Sequence, residues 1–376
     1  MDASALHVTR PVPTLQLGGA LSALGILGTS PNSDWAGPPS PGNDFFTRYE
    51  EDLELLAGTG VRSIRLGLDW SRLQPVPGKV DDDWREWYQS VFVAAAHNDI
   101  AVWAALHERS VPAWFDDEGS FSDSRTAGLA WPRWVETAAE LFGDDVAGWF
   151  PIIDPVSAAA RWTADTRKHE VALINMAVAW RDAWRILQGG PPVSTALSVR
   201  MVRPTDGTVP AQNAARFEDH VRWTMWLRGL RDGTIYLPNG TEREVADLGG
   251  SLDRLGIVTS LDVPEGTITD DTRRRWEERL GSLLRRAAEE GPDRPVMLAG
   301  IDVRWANNEE RRLFVESTVH AIRGATSDGI PLDAVFVDPA ISPRDAHVAS
   351  LVDRDRNPTG ETAAWLVLTP PARGTG

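Results

Sequence analysis

The stretch Trp149-Phe150-Pro151-Ile152-Ile153-Asp154-Pro155 is a short apolar run that closes on one carboxylate and one proline. An apolar run of this length reads as a buried strand of a parallel sheet. Its one acid, Asp154, then stands at the strand's C-terminal edge. Working outward, the same beat recurs on both sides. Upstream, Leu15 to Ile26 reads as a first strand, and the Pro- and Gly-rich piece from Thr29 to Gly42 as a surface loop. Phe46, Tyr49, Leu53 and Leu56 lie at helical spacing before the stop Gly58-Thr-Gly60. Val61 to Leu68 is a second strand, Asp81 to Ala96 a helix, Ile100 to His107 a strand and Pro132 to Phe142 a helix. The quoted stretch ends the fourth strand, Val146 to Ile153.

Downstream the alternation continues, with helices at Glu170 to Leu187, Ala211 to Arg231, Asp270 to Glu290 and Glu309 to Ala325. The interleaved strands are Val193 to Met201, Leu255 to Ser260, Pro295 to Ile301 and Leu332 to Val337, and a weak last helix falls near Glu361 to Leu366. Strands alternating with helices along one chain predict an α/β fold, a single closed (β/α)8 TIM barrel, with a doubly wound open sheet as the competitor. Residues 1–14 read as a flexible arm, 15–370 as the barrel and 371–376 as a flexible tail. In such a barrel chemistry belongs to the strand ends, so those residues carry the functional reading. Asn239-Gly-Thr241 fits a glycosylation sequon, but beside Tyr236-Leu-Pro it reads as a plain turn.

Bulk properties narrow the function classes. The 376 residues are 42% hydrophobic and include 17 Trp, enough for a large single core. A formal net charge of -16 argues against nucleic acid and anionic membranes as partners, and leaves a small neutral ligand open. Cysteine is absent, so disulfides and thiolate zinc sites are excluded, and the seven His show no metal-ligand spacing; neither metal nor cofactor is expected. Glycines at 18, 19 and 25 break the apolar run that starts at Leu15, which reads against a signal peptide, and no stretch has the ~20 apolar residues of a membrane span. A cytoplasmic protein is the expectation; the oligomeric state is left open.

The segment from Ala138 to Pro155 resembles the fourth strand of glycoside hydrolase family 1, the β-glucosidase family, whose run closes on Asn-Glu-Pro. Three further blocks carry the likeness. Arg48-Tyr-Glu-Glu-Asp-Leu53 with Arg65-Leu-Gly-Leu-Asp-Trp70-Ser-Arg72 is similar to the family's first helix and second strand. Leu106-His-Glu-Arg-Ser-Val-Pro-Ala-Trp-Phe115 is similar to its third-strand motif. Pro295-Val-Met-Leu-Ala-Gly300, Glu309-Glu-Arg-Arg312, Asp328-Gly-Ile-Pro331 and Phe336-Val337 follow its seventh strand, helix and eighth strand. The resemblance implies that Asp154 takes the acid/base position, that Arg65 lies beneath the nucleophile, and that Trp70 packs below the sugar.

It also implies that Gly300 takes the nucleophile's position, and a hydrogen cannot form a glycosyl ester. Ile153 replaces the family's Asn, Glu108 its sugar-binding His, with His107 just before it, Gly25 its clamping Gln, Val258 and Thr259 its Asn-Tyr pair, and Asp338 a Trp. The losses cluster at strand ends while the scaffold stays readable. Two carboxyls about 6.5–9.5 Å apart suffice for inversion. Asp302, two residues past Gly300 and on the same face if the strand continues, would make an inverting pair with Asp154 conceivable.

Plainer roles compete. Asp154 could pair with Arg65, Glu108 with Arg109 as a solvated strand-end pair, and Asp302 and Asp338 could be caps. Trp70, Trp103, Trp149 and Trp305 suit a core better than a sugar platform. The leading expectation is a family 1-like barrel that has lost the retaining mechanism and binds a small molecule at a mouth lined by Arg65, Glu108, His107, Trp70 and Asp338. An O-glycoside hydrolase using Asp154 with Asp302 or Glu108 is the enzymatic alternative. A partner-binding structural barrel is the third.

Overall fold

The computed structural model describes residues 15–262, 269–304, 308–343 and 349–368. The expected arm at 1–14, the tail at 371–376 and Trp305 lie outside the described residues. The strands are β1 (Gln16–Leu21), β2 (Ser63–Gly67), β3 (Ala101–Ala105), β4 (Gly148–Phe150), β5 (Leu197–Ser198), β6 (Thr234–Tyr236), β7 (Glu242–Glu244), β8 (Leu255–Asp262), β9 (Val296–Arg304) and β10 (Leu332–Val337). Eight form one sheet in the order β4-β3-β2-β1-β10-β9-β8-β5, every pair parallel. The two ends of that order meet, because Trp149 N–H donates to Pro192 at 2.9 Å, Ser194 N–H to Trp149 at 2.9 Å and Asp154 N–H to Ala196 at 2.9 Å. The sheet is therefore a closed (β/α)8 barrel.

Prolines explain why β4 and β5 are shorter than expected. Pro151 interrupts the run Val146 to Ile153, and Pro191-Pro192 precede β5; a residue without an N–H cannot continue the ladder. Pairing resumes beyond them as isolated bridges, Trp149 with Val193 and Ile153 with Ala196. The first strand also stops early, since Ser22 caps a short helix, Ala23–Leu27, by accepting from Gly25 N–H at 3.2 Å. The helix expected from Pro132 starts two turns sooner, at Ser124, where Asp123 accepts from Arg125 and Thr126 amides at 3.0 and 2.8 Å. β6 and β7, unforeseen, form a small antiparallel hairpin, and Asn239-Gly240 is its turn, with Gly240 at φ 86°.

Two apolar layers hold the barrel. Inside it pack Trp103, Ala105, Phe150, Ile153, Ala196, Met297, Ala299, Ala334 and Phe336. A larger layer lies between strands and helices and includes Trp70, Trp131, Trp134 and Trp149. Trp70 stacks on Trp134 with ring centroids 5.6 Å apart and planes 8° apart, and Trp134 donates to the Leu106 carbonyl at 3.1 Å. Each such buried ring removes a large apolar surface from water, and the indole N–H groups of Trp70 and Trp131 likewise find acceptors, in the Gln74 side chain and the Ala179 carbonyl. Among the described residues no helix is long and apolar enough to cross a membrane.

Candidate functional site at the barrel mouth

Arg65 organises the site. It sits mid-strand on β2, 2% exposed, with its side chain directed into the barrel, where a lone guanidinium is tolerated only if carboxylates and carbonyls surround it. Nη2 lies 2.8 Å from Asp338 Oδ2 and 3.5 Å from Glu108 Oε1, and Nη1 donates to the Ala299 carbonyl. Glu108, just past β3, is nearly buried and accepts from the Ala23 amide at 3.1 Å through its other oxygen. Burial pushes its carboxyl above the ordinary carboxylate range, against the pull of Arg65. Asp338 follows β10. One cation thus gathers two acids that are 230 residues apart in sequence.

Two expectations are corrected here. Glu108 is no solvated partner of Arg109 but turns inward, and Asp338 is not a cap but an ion-pair partner of Arg65. Asp154 does not pair with Arg65 either. It adopts φ 49°, ψ 66°, caps the helix Pro155–Ala159 by accepting from Ser157 N–H at 3.1 Å, and lies 4.0 Å from Arg222 Nη1. Pro155 at the helix start fixes φ there, and the Asp before it serves as N-cap, so local sequence aims this carboxylate at its own helix.

Gly300 lies on β9 at an irregular step. Against β8 the register passes from Ile257–Leu298 to Val258–Gly300, and against β10 from Val335–Leu298 to Val337–Ile301, so both neighbours skip a residue. This bulge frees the Ala299 carbonyl that Arg65 binds. A Cβ on Gly300 would lie 2.7 Å from Arg65 Nη1, 3.2 Å from Asp338 Oδ2 and 3.3 Å from Val258 Cγ1. The space that a side chain at this position would enter is therefore filled by the guanidinium and its partner. β9 does continue past Gly300, and Asp302 stands in register with Ser260 of β8.

Other expected contributors fall away from the mouth. His107 is buried edge-on against Phe121 and Trp131, 5.5 and 6.5 Å between centroids, and burial lowers its pKa to about 4. Trp70 belongs to the outer aromatic layer, because β2 has ended and the chain has turned into the helix Trp70–Leu73. Gly25 is inside the short helix, and Thr259 is buried at 2% exposure. Two participants had no signal in the sequence reading. Gly67 must lack a side chain, since a Cβ there would meet Ala23 N at 2.6 Å and Glu108 Oε2 at 2.7 Å. Arg222, 24 residues after Ser198, donates to that residue's carbonyl at 3.0 Å and to Glu218 at 2.9 Å, closing a charge chain with Asp154.

The comparisons agree with this architecture. A sequence model of glycosyl hydrolase family 1 matches residues 32–164. The 6-phospho-beta-glucosidase GmuD of Bacillus subtilis is 28% identical over 119 residues, 31% of this chain and 25% of that protein. A 6-phospho-beta-galactosidase of Staphylococcus epidermidis is 32% identical over 87 residues, 23% of this chain and 18% of that protein. The matched part thus spans a quarter or less of these relatives' length. The β-glucosidase of Thermotoga maritima in complex with glucoimidazole superposes with a TM-score of 0.78 at 15% identity, covering 94% of this chain and 97% of that one. The β-glycosidase of Pyrococcus horikoshii gives 0.77 at 17%, covering 96% and 95%. The likeness in fold runs the length of the chain, and the family model matches about a third of it, residues 32–164.

Proposed function

We propose that this glycosyl hydrolase family 1-like barrel does not run a retaining glycosidase cycle and instead holds a small ligand at its carboxylate-bearing mouth. The observation that carries the reading is Gly300. A retaining cycle forms a covalent ester with a carboxylate set about 5–5.5 Å from the acid. The position implied for that carboxylate has no side chain, and Arg65 and Asp338 fill the space beside it. Asp154 is turned to its helix, and the surroundings of the mouth include Ile153, Ala299 and Val258, which offer a sugar's hydroxyls no hydrogen bonds. Without such bonds there is little binding that strengthens in the transition state.

The test is intact-mass spectrometry after incubation with activated 2-fluoro-glycosides, together with release of nitrophenol from aryl β-glucosides, β-galactosides and their 6-phosphates. The phosphorylated substrates are included because the matched relatives are 6-phospho-beta-glycosidases by name. No mass gain and no release above buffer are expected. A glycosyl adduct on any carboxylate would overturn the reading. Ligand binding is followed by thermal shift with the free sugars and sugar phosphates, since a ligand that binds only the folded chain raises its Tm.

One observation favours a second reading, hydrolysis with inversion. Glu108 and Asp338 approach the same Arg65 nitrogen, at 3.5 and 2.8 Å, so the two oxygens lie at most about 6 Å apart, short of the about 6.5 Å at which inverting pairs begin, and a slight parting of the two would be needed to admit a water. Burial keeps Glu108 protonated to a higher pH than an ordinary Glu, as a general acid requires. Turnover that yields the inverted anomer by NMR and disappears in both Glu108→Gln and Asp338→Asn would establish it.

A further inference from the structure

Away from Arg65, a cleft of about 670 Å³ opens between the segment that follows β5 and the helix Asp270–Glu290, lined by Met201, Arg203, Arg275, Glu278, Arg279 and Ser282. Three guanidiniums share it in a chain whose formal charge is -16, so a cationic cleft runs against the character of the whole surface. Arg275 is neutralised by Asp271 at 2.6 Å. Neither Arg203 nor Arg279 has a carboxylate partner among the described residues. The Arg279 Nε is shielded from solvent and makes no hydrogen bond.

Acids of the helix Val209–Asp219 are committed to other arginines. Glu218 pairs with both Arg200 and Arg222, and Asp219 binds Arg286 bidentately at 2.6 and 3.0 Å. Arg279 is therefore half-buried beside Arg203 and Arg200 with like charge around it, and burial with those two neighbours lowers its pKa from the usual arginine value. A guanidinium stays charged under such conditions, so the arrangement is unfavourable for the folded chain unless an anion enters. With Arg275 paired, Glu278 is the one acid lining the cleft among the described residues, and a single carboxylate does not balance the two guanidiniums that remain.

We propose that the cleft formed by Arg203, Arg275 and Arg279 binds the tetrahedral dianion of a phosphoryl or sulfate group carried by a small molecule. Planar guanidiniums present paired N–H donors that match such oxygens, and Arg203 and Arg279, which line the cleft without a carboxylate partner among the described residues, supply them. Ser282 also lines the cleft, but its hydroxyl proton is donated to the Glu278 carbonyl at 2.7 Å, so the donors come from the arginines. The site does not depend on the reading of Gly300 and stands whether or not the mouth is catalytic.

Thermal shift and calorimetry with inorganic phosphate, inorganic sulfate, a hexose 6-phosphate and the matching hexose, at constant ionic strength set with sodium chloride, test it. Phosphate and sulfate are expected to raise Tm where chloride does not, and the hexose 6-phosphate to bind where the hexose does not. Arg203→Gln and Arg279→Gln should each weaken phosphate binding at least tenfold. The apo form of Arg279→Gln should melt no lower than the parent chain, because a repelled, desolvated charge has been removed. Arg62→Gln, immediately before β2 and not part of the cleft lining, should bind as the parent does. Equal responses to phosphate and chloride, or a response that survives Arg203→Gln with Arg279→Gln, would overturn the proposal. If Arg279→Gln fails to fold, the exposed Arg203→Glu alone decides it by the same titration.

Discussion

Two buried titratable residues on neighbouring positions, His107 and Glu108, make opposite demands on pH. The Glu108 carboxyl is held above its ordinary value of 4.5, so as pH rises past that value the unfolded chain releases a proton that the folded chain keeps. Stability is then lost until the folded carboxyl ionises as well. Glu108→Gln carries no such proton and should gain Tm relative to the parent as pH is raised from 4.5; a difference that is flat or shrinks with pH would show that Glu108 is ionised in the fold. His107 behaves in the other sense. Its pKa falls from 6.5 to about 4, so stability is present above 6.5 and is lost as pH drops toward 4. The full effect amounts to about 3 kcal/mol. His107→Phe keeps the edge contacts with Phe121 and Trp131, and its Tm should hold steady between pH 6.5 and 4.5 where the parent's declines. That His107 and Glu108 would part company, one into an apolar cage and one onto Arg65, was not legible from Leu106-His-Glu-Arg109, because neighbouring residues at a strand end take opposite faces and the sequence does not say which.

At the scale of elements, β9 and the quoted stretch around Asp154 carry the functional argument. The bulge at Ala299–Gly300 sets a carbonyl against Arg65 and removes room for a side chain. Gly300→Ala should destabilise the fold by about 1–3 kcal/mol by overpacking, as read from denaturant melts. Gly300→Glu should not create turnover on aryl glycosides, since its carboxylate would have to share one guanidinium with Glu108 and Asp338. Turnover by that variant would mean Arg65 yields, and the filled-space argument would fail. Asp154→Ala should remove a helix N-cap and lower stability by about 1 kcal/mol with no change in any ligand response at the mouth. The strand, its C-terminal acid and the glycine on the seventh barrel strand were all legible in sequence. What the acid does was not, because Asp-Pro at a helix start has two uses, cap and catalyst, and only the geometry of Ser157 N–H and Arg222 separates them.

For the whole molecule, closure of the barrel was readable from the strand–helix alternation, while the contacts that join the chain's beginning to its end were not. The block Arg48-Tyr-Glu-Glu-Asp-Leu53 drew notice as a family-like helix, yet its working residue is Asp52, fully buried and held by Arg356 at 2.8 and 2.9 Å. Arg356 also donates to the Asn43 carbonyl at 2.7 Å, so one side chain ties the segment after β10 to the first long helix across 304 positions. Such a pair is invisible to periodicity, because nothing local marks its partner. Removing one member of a buried pair leaves the other charge uncompensated and costs about 3–5 kcal/mol, whereas removing both is far milder. Arg356→Met should therefore lower Tm steeply, Asp52→Asn similarly, and the double variant should recover a large part of the loss. Melting each of the four proteins and closing the cycle gives the coupling. Additive losses would show that the two ends of the barrel are held by the surrounding apolar layer, with the ion pair contributing little.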